Sequence, residues 1–314
     1  MKLLVSRALT PRVEKRLAEE FDTTFRNGAT PLSENEARAA LAEYDALLVT
    51  LGDRLTAAAF AGAPKARIVA NFGVGYNHID VAAARAQGIA VTNTPGAVTD
   101  ATADIALTLI LMSARRAAEG DRFVRTGAWT GWTPTQFLGQ HVTGKTVGIV
   151  GLGRIGKAIA RRCHFGFDMR VLFHNRSIVA EPGLPAEQVP LDDLLAKADF
   201  VVIAVPASPA THHLIGADQI ARMQPHAHLV NIARGDILDE TALIAALQAG
   251  RIAGAGLDVY EHEPAVPEAL RALNNVTLLP HLGTAAEEVR DAMGLMALDN
   301  LIAARDGKPV PNAV

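Results

Sequence analysis

The sequence predicts an α/β protein built on doubly wound parallel sheets, and three observations lead there. Short apolar, β-rich runs recur along the chain, Ala- and Leu-rich stretches of helical spacing separate them, and the runs are apolar throughout, as strands covered on both faces are. With 314 residues, 49% of them hydrophobic, the chain has material for two cores more readily than for one very large domain.

The expected strands are residues 3–5, 47–49, 68–70, 147–150, 201–205 and 229–232. Helices are expected at 155–162, 191–196 and 240–249, the last closed by Gly250 as a C-terminal cap. Residues 99–116 read as one long helix, with Asp100 near its start and Ile105, Leu107, Leu109, Ile110 and Met112 making it almost wholly apolar. Such a helix is expected to be buried between lobes or subunits. Residues 127–144 carry Trp129 and Trp132 without periodicity and read as a loop resting on a surface. No fixed-period repeat or low-complexity tract is present, which sets aside solenoids and disordered tails.

The 30 Lys+Arg and 33 Asp+Glu are interspersed, with a formal net charge of -3, so nucleic-acid binding by bulk charge is disfavoured. The longest apolar runs, such as 105–112, are too short to span a membrane, and residues 1–7 have no signal-peptide pattern. A cytoplasmic protein without membrane or nucleic-acid partners is expected. The single cysteine, Cys163, excludes an internal disulfide framework and a Cys-based zinc site. His212-His213 and His226-Ala227-His228 have no carboxylate or cysteine at metal-ligand spacing, so no metal is expected.

Two glycine motifs compete. Gly139-Gln140-His141-Val142-Thr143-Gly144-Lys145-Thr146 matches the letters of a phosphate-binding P-loop. Its context is wrong, because Lys145-Thr146 lead into a strand where a P-loop opens a helix. Gly151-Leu152-Gly153-Arg154-Ile155-Gly156 lies between the strand 146–150 and the helix 155–162, as a dinucleotide-binding fingerprint does. Gly151 allows the tight turn, Gly153 the approach of a pyrophosphate, and Gly156 close helix–strand packing, while the helix N-terminus favours an anion. About 20 residues on, where an acid usually reads the ribose, the chain has His174-Asn175-Arg176-Ser177. Asn175 is neutral, Arg176 can fork onto a phosphate and Ser177 can donate, so NADP(H) is expected to be preferred, with NAD(H) admissible. Gly73-Val74-Gly75 lacks a third glycine, since His78 occupies its place, and reads as either a simple turn or an anion nest for a carboxylate.

Arg234, Asp258 and His281 each follow an apolar run, with Glu263 soon after Asp258. In an open parallel sheet the carboxyl ends of strands face the ligand crevice, which brings such residues together. Gly151–Gly156, Asn231-Ile232-Ala233-Arg234-Gly235, Leu257-Asp258-Val259-Tyr260-Glu261-His262-Glu263-Pro264 and Leu279-Pro280-His281-Leu282-Gly283 together resemble the D-isomer-specific 2-hydroxyacid dehydrogenases over essentially the whole chain. Within that family Asn71-Phe72-Gly73-Val74-Gly75-Tyr76-Asn77 and His174-Asn175-Arg176-Ser177 are most similar to the glyoxylate and hydroxypyruvate reductases.

The resemblance implies a Rossmann cofactor domain, residues 100–284, inserted into a flavodoxin-like substrate domain, residues 1–99 with 285–314. It implies hydride transfer to a small 2-keto acid, with His281 as general acid, Glu263 accepting the other imidazole N–H, and Arg234 binding the substrate carboxylate and polarising the keto oxygen. Val74 and Gly75 amides hold the carboxylate, and the 50–54 loop, with Leu51, faces the cleft. The implied cofactor contacts are Gly151, Gly153, Arg154, Ile155, Gly156, Asn175, Arg176, Ser177, Val205, Pro206, Thr211, Ile232, Ala233, Gly283 and Thr102, with Asp258 near the nicotinamide amide. The long helix and the loop to Gly144 imply a homodimer in which Trp132 reaches the neighbour's active site, although Thr135-Gln136-Phe137 departs from the apolar pattern there. Competing readings are a dehydrogenase of another D-2-hydroxy acid or of phosphite, and a non-enzymatic dinucleotide-sensing protein of the co-repressor type, which turnover separates.

Overall fold

The computed structural model describes residues 1–28 and 30–314. The chain divides into two compact units, Met1–Val98 with Thr284–Val314, and Thr99–Gly283. The first stretch runs β1 (Lys2–Val5), α1 (Pro11–Glu20), β2 (Asp22–Phe25), α2 (Glu34–Glu43), β3 (Ala46–Val49), β4 (Ile68–Asn71), α3 (Val81–Ala86) and β5 (Ala90–Thr92). The second unit holds α4 (Thr99–Ala114), α5 (Ala117–Arg125), β6 (Thr146–Val150), α6 (Arg154–Phe167), β7 (Arg170–His174), β8 (Glu187–Gln188), α7 (Leu191–Lys197) and β9 (Phe200–Ile203). It continues through α8 (Ala217–Arg222), β10 (His228–Asn231), α9 (Glu240–Gln248), β11 (Gly254–Leu257), α10 (Glu268–Arg271) and β12 (Val276–Leu278), before α11 (Glu287–Arg305) returns to the first unit.

The first unit is a five-stranded parallel sheet in the order β2-β1-β3-β4-β5, the flavodoxin-like winding. β3 and β4 are buried at every position, which is why these runs are continuously apolar. Pro11 opens α1, where its missing N–H costs nothing, and α2 starts with a capping box in which Ser33 and Glu36 satisfy each other's backbone amides. α11 closes on α1 at Gly294, where a Cβ would lie 2.5 Å from the Val13 methyls.

The second unit is a seven-stranded parallel sheet in the order β12-β11-β10-β9-β6-β7-β8. Successive residues feed opposite cores: Val201 and Ile203 join one, Phe200 and Val202 the other. The sequence reading missed β2, β5 and β8, which are short or half-exposed edge elements, and the run 201–205 ends as a strand at Ile203.

Two expectations need correction. The helix expected over 99–116 stops at Ala114, whose carbonyl accepts the Gln140 amide at 2.8 Å, and Arg116 turns left-handed at φ 53 to start α5. Within the chain α4 buries one face, Ala103, Ala106, Leu109 and Ile110, while Ile105, Leu107, Leu111 and Met112 stay partly exposed. The 127–144 loop is irregular as expected but does not rest on its own chain at the tryptophans, since Trp129 is 53% and Trp132 77% exposed. Lys145-Thr146 enter β6, so the P-loop letters carry no P-loop structure. Cys163 is buried in α6, and burial pushes its thiol up to about 12. Among the described residues no helix is long and apolar enough to cross a membrane.

Candidate active site

The glycine loop between β6 and α6 has the three features its spacing predicts. Gly151 sits at φ 103, and a Cβ there would meet Val205 Cγ1 at 2.7 Å and the Ala204 carbonyl at 2.8 Å. A Cβ on Gly156 would fall onto the Gly151 carbonyl oxygen, so α6 and the loop touch backbone to backbone. Gly153, by contrast, has no heavy atom within 4 Å of where its Cβ would stand. That open approach at the start of a 14-residue helix is a cradle a side chain would fill, and it fits a dinucleotide pyrophosphate.

The catalytic candidates gather at the carboxyl ends of β10, β11 and β12. Asn231, the last residue of β10, accepts from the Ala233 amide at 3.1 Å and donates to the Arg234 carbonyl at 2.8 Å, folding the chain into the turn that projects Arg234. Gly235 follows because a Cβ there would overlap the Tyr260 backbone. Burial pulls the Arg234 guanidinium down while Glu263 and Asp236 push it back up; it stays a cation.

Glu263 Oε2 lies 2.9 Å from His281 Nδ1, and Oε1 accepts the Tyr260 amide at 3.1 Å. Burial works to raise the Glu263 carboxyl, but the His281 hydrogen bond and charge, the Tyr260 amide and the Arg234 charge together hold it below its ordinary value. His281 is held at φ 56, an uncommon backbone conformation for a residue other than glycine. Buried Asp258 holds it there: its carbonyl accepts the His281 amide at 2.9 Å, and its carboxylate accepts Leu282 N at 2.6 Å and Gly283 N at 2.8 Å. Burial raises the Asp258 carboxyl despite those two amides.

The family model for the D-isomer specific 2-hydroxyacid dehydrogenase NAD binding domain matches residues 107–283. A glyoxylate reductase of Pyrococcus horikoshii is 45% identical over 319 residues, covering 100% of this chain and 95% of that protein. The chain belongs to the D-isomer-specific 2-hydroxyacid dehydrogenase family. Among solved structures, a Thermus thermophilus protein superposes with TM-score 0.94 at 39% identity, each chain covered to 100%. An NADPH-dependent glyoxylate/hydroxypyruvate reductase of Sinorhizobium meliloti, solved with NADP and malonate, superposes with TM-score 0.89 at 38% identity, covering 100% of this chain and 96% of that one. The protein is an oxidoreductase, and its second unit is the nicotinamide-dinucleotide-binding domain of a 2-hydroxyacid dehydrogenase.

Within this dehydrogenase the remaining expected residues are placed as follows. Asn175 Oδ1 accepts the Leu152 amide at 2.6 Å, so it braces the glycine loop. Arg176 and Ser177 are exposed, on a loop that Gln188 clips by accepting from Val179 N at 2.9 Å and donating to the Ser177 carbonyl at 2.9 Å. Val205 and Pro206 follow β9, and Thr211 closes that turn by donating to the Pro206 carbonyl at 2.8 Å. The Thr102 hydroxyl donates to the Gly283 carbonyl at 3.1 Å, and the Ile232 side chain lies in the core, with Ala233 packed at a core margin. Arg154 and Ile155 open α6. Trp132 is highly exposed on the 127–144 loop.

In the first unit the Gly73–Gly75 turn has its carbonyls occupied: Asn71 Nδ2 donates to Gly73 O at 2.9 Å and to Gly75 O at 3.0 Å, and Asn93 Nδ2 to Val74 O at 2.9 Å. Among the described residues the Val74 and Gly75 amides find no acceptor, as an anion nest requires. Leu51 is half-buried on a turn that Asp53 closes by accepting Thr50 N at 2.7 Å.

Asn231, Gln188 and Tyr260 were not singled out from sequence as contributors. Asn at a strand end two residues before a bend is a legible turn signal, whereas the Tyr260 hydroxyl, donating to the Leu279 carbonyl at 2.9 Å, and the Gln188 clip are tertiary pairs. The depressed Glu263 carboxyl gives a signed prediction. Its contribution to stability is full above its ordinary 4.5 and is lost as pH falls through its lower folded value. The stability advantage of wild type over Glu263→Gln, read by urea unfolding, should therefore shrink as pH falls below 4.5.

Proposed function

We propose that this dehydrogenase reduces glyoxylate, hydroxypyruvate or a similarly short 2-keto acid to the 2-hydroxy acid, with NADPH as the preferred reductant. The observation that carries the reading is the His281 Nδ1–Glu263 Oε2 pair at 2.9 Å, at the same sheet edge as Arg234 and the open glycine loop. The residues that would hold the cofactor are the 151–156 loop and the Asn175–Ser177 segment; a reduced nicotinamide, when bound, supplies the hydride.

Arg234 binds the substrate carboxylate and draws electron density toward the keto oxygen, and it does so as a fixed cation. With Nδ1 directed at Glu263, His281 presents Nε2 to that oxygen and delivers the proton as negative charge develops there. Glu263, kept ionised, accepts the Nδ1–H hydrogen bond and so fixes the orientation of the ring. In the reverse direction His281 takes the hydroxyl proton. The Val74 and Gly75 amides are assigned as further carboxylate donors, and Leu51 as a limit on substrate side-chain size.

The cofactor preference rests on an exposed Arg176 that has no ion-pair partner among the described residues, with no carboxylate in the Asn175–Ser177 segment. A 2'-phosphate would meet a cation and a hydroxyl instead of a repelling acid. The names of the relatives support the substrate class, and the Sinorhizobium meliloti structure supports the cofactor.

The deciding experiment follows reduced-nicotinamide absorbance with purified protein, glyoxylate and hydroxypyruvate, and either NADPH or NADH. Faster turnover with NADPH is expected. Arg176→Ala should raise KM for NADPH about 10- to 100-fold and leave that for NADH nearly unchanged. Arg234→Ala should lower kcat/KM about 10²- to 10³-fold with either cofactor. Dinucleotide binding without turnover of either keto acid would overturn the reading.

We also propose that two copies of this chain form a homodimer. The half-exposed apolar face of α4 and the exposed Val124, Trp129, Trp132 and Leu138 support this, since large apolar groups are seldom left so open on a monomer. Sedimentation equilibrium at micromolar concentration should return twice the chain mass, and a monomer there would refute it.

A further inference from the structure

His212, His213 and Glu261 form a second cluster of donor atoms at the carboxyl edge of the seven-stranded sheet, and nothing in the reduction uses it. The histidines lie in the segment after β9 and the glutamate follows β11. His213 Nε2 stands 2.8 Å from Glu261 Oε1, and the His212 ring stacks on that of His213 with centroids 4.0 Å apart and planes 27° apart. One donor atom from each of the three lies within 4.8 Å of the other two.

The hydrogen bond accounts for His213 and Glu261 but not for the second imidazole held beside them. We propose that these three residues bind a divalent cation of the zinc class. Two imidazoles and one carboxylate form a borderline donor set, suited to Zn²⁺ and poorly suited to Ca²⁺ or Mg²⁺, which take oxygen ligands. Three protein ligands leave a fourth tetrahedral position for water.

The backbone on both sides is already fixed. The His213 amide donates to the Asp236 carbonyl at 2.8 Å, and the Glu261 amide donates to the carboxylate of buried Glu240 at 2.8 Å. His213 is held at φ 48, an uncommon backbone conformation for a residue other than glycine. Metal–ligand bonds of about 2.0–2.2 Å put neighbouring donors a little over 3 Å apart, so His213 and Glu261 part by a few tenths of an ångström and exposed His212 swings in. The N–H now shared with Glu261 moves to His213 Nδ1 by exchange with water, leaving Nε2 for the ion. A bound ion would fasten the 211–215 segment to the stretch that carries Glu263 two residues further on.

The test uses the full chain, stripped with chelator and titrated with Co²⁺, whose visible ligand-field bands report tetrahedral binding. One saturable equivalent per chain, displaced by Zn²⁺, is expected. His212→Ala, a change at an exposed residue, and Glu261→Gln should each weaken uptake at least about tenfold. His226→Ala, which breaks the separate pair with Asp199, and His281→Asn should leave uptake unchanged. The proposal fails if wild type shows no saturable uptake, if His212→Ala binds like wild type, or if His281→Asn abolishes binding and so assigns the ion to the His281–Glu263 pair. Circular dichroism checks the fold of each variant, and His212→Ala decides should Glu261→Gln not fold.

Discussion

Buried Asp258 is the residue through which the chemistry of the second unit is held in place. Its carbonyl and both carboxylate oxygens receive the three successive amides of His281, Leu282 and Gly283. A carboxylate taken out of water needs such donors, and three amides in a row have few other ways to be satisfied at the end of a strand. The mutual need holds His281 in a left-handed conformation that would otherwise cost on the order of 1–3 kcal/mol. From there its imidazole meets Glu263, which the Tyr260 amide orients from the other side.

The parallel sheet makes that meeting inevitable once its strand order is set. Every strand of the second unit points the same way, so β6, β10, β11 and β12 deliver the glycine loop, Arg234, the 258–263 segment and His281 to one edge. Glycines then set how closely these pieces approach. Gly156 lets α6 touch the loop it follows, and Gly235 lets the Arg234 turn lie against the Tyr260 backbone. The first unit uses a related device, with Asn71 and Asn93 occupying the carbonyls of the 73–75 turn and leaving the Val74 and Gly75 amides available.

Much of this was legible in the chain. The apolar runs marked the central strands because a strand covered on both faces cannot alternate, and Gly151–Gly156 announced its own turn. The edge strands β2 and β8 escaped because half-exposed edges lose that signature. Arg116 ended α4 early through a left-handed turn that no helical periodicity reports. Asn175, read from sequence as a cofactor contact, braces Leu152, a role visible only once β7 lies beside β6.

By itself the sequence determined the element types, the glycine turn, the loop without an acid after β7, and the order of the motifs, because each depends on neighbours within a few residues. Tertiary structure decided the pairings: His281 with Glu263 across 18 residues, His213 with Glu261 across 48, and Ser113 with His228 across 115. Those distances follow from strand order and from the crossover helices that set it. A hydrogen bond between remote side chains is specified only when the packing of whole elements brings its donor and acceptor within reach.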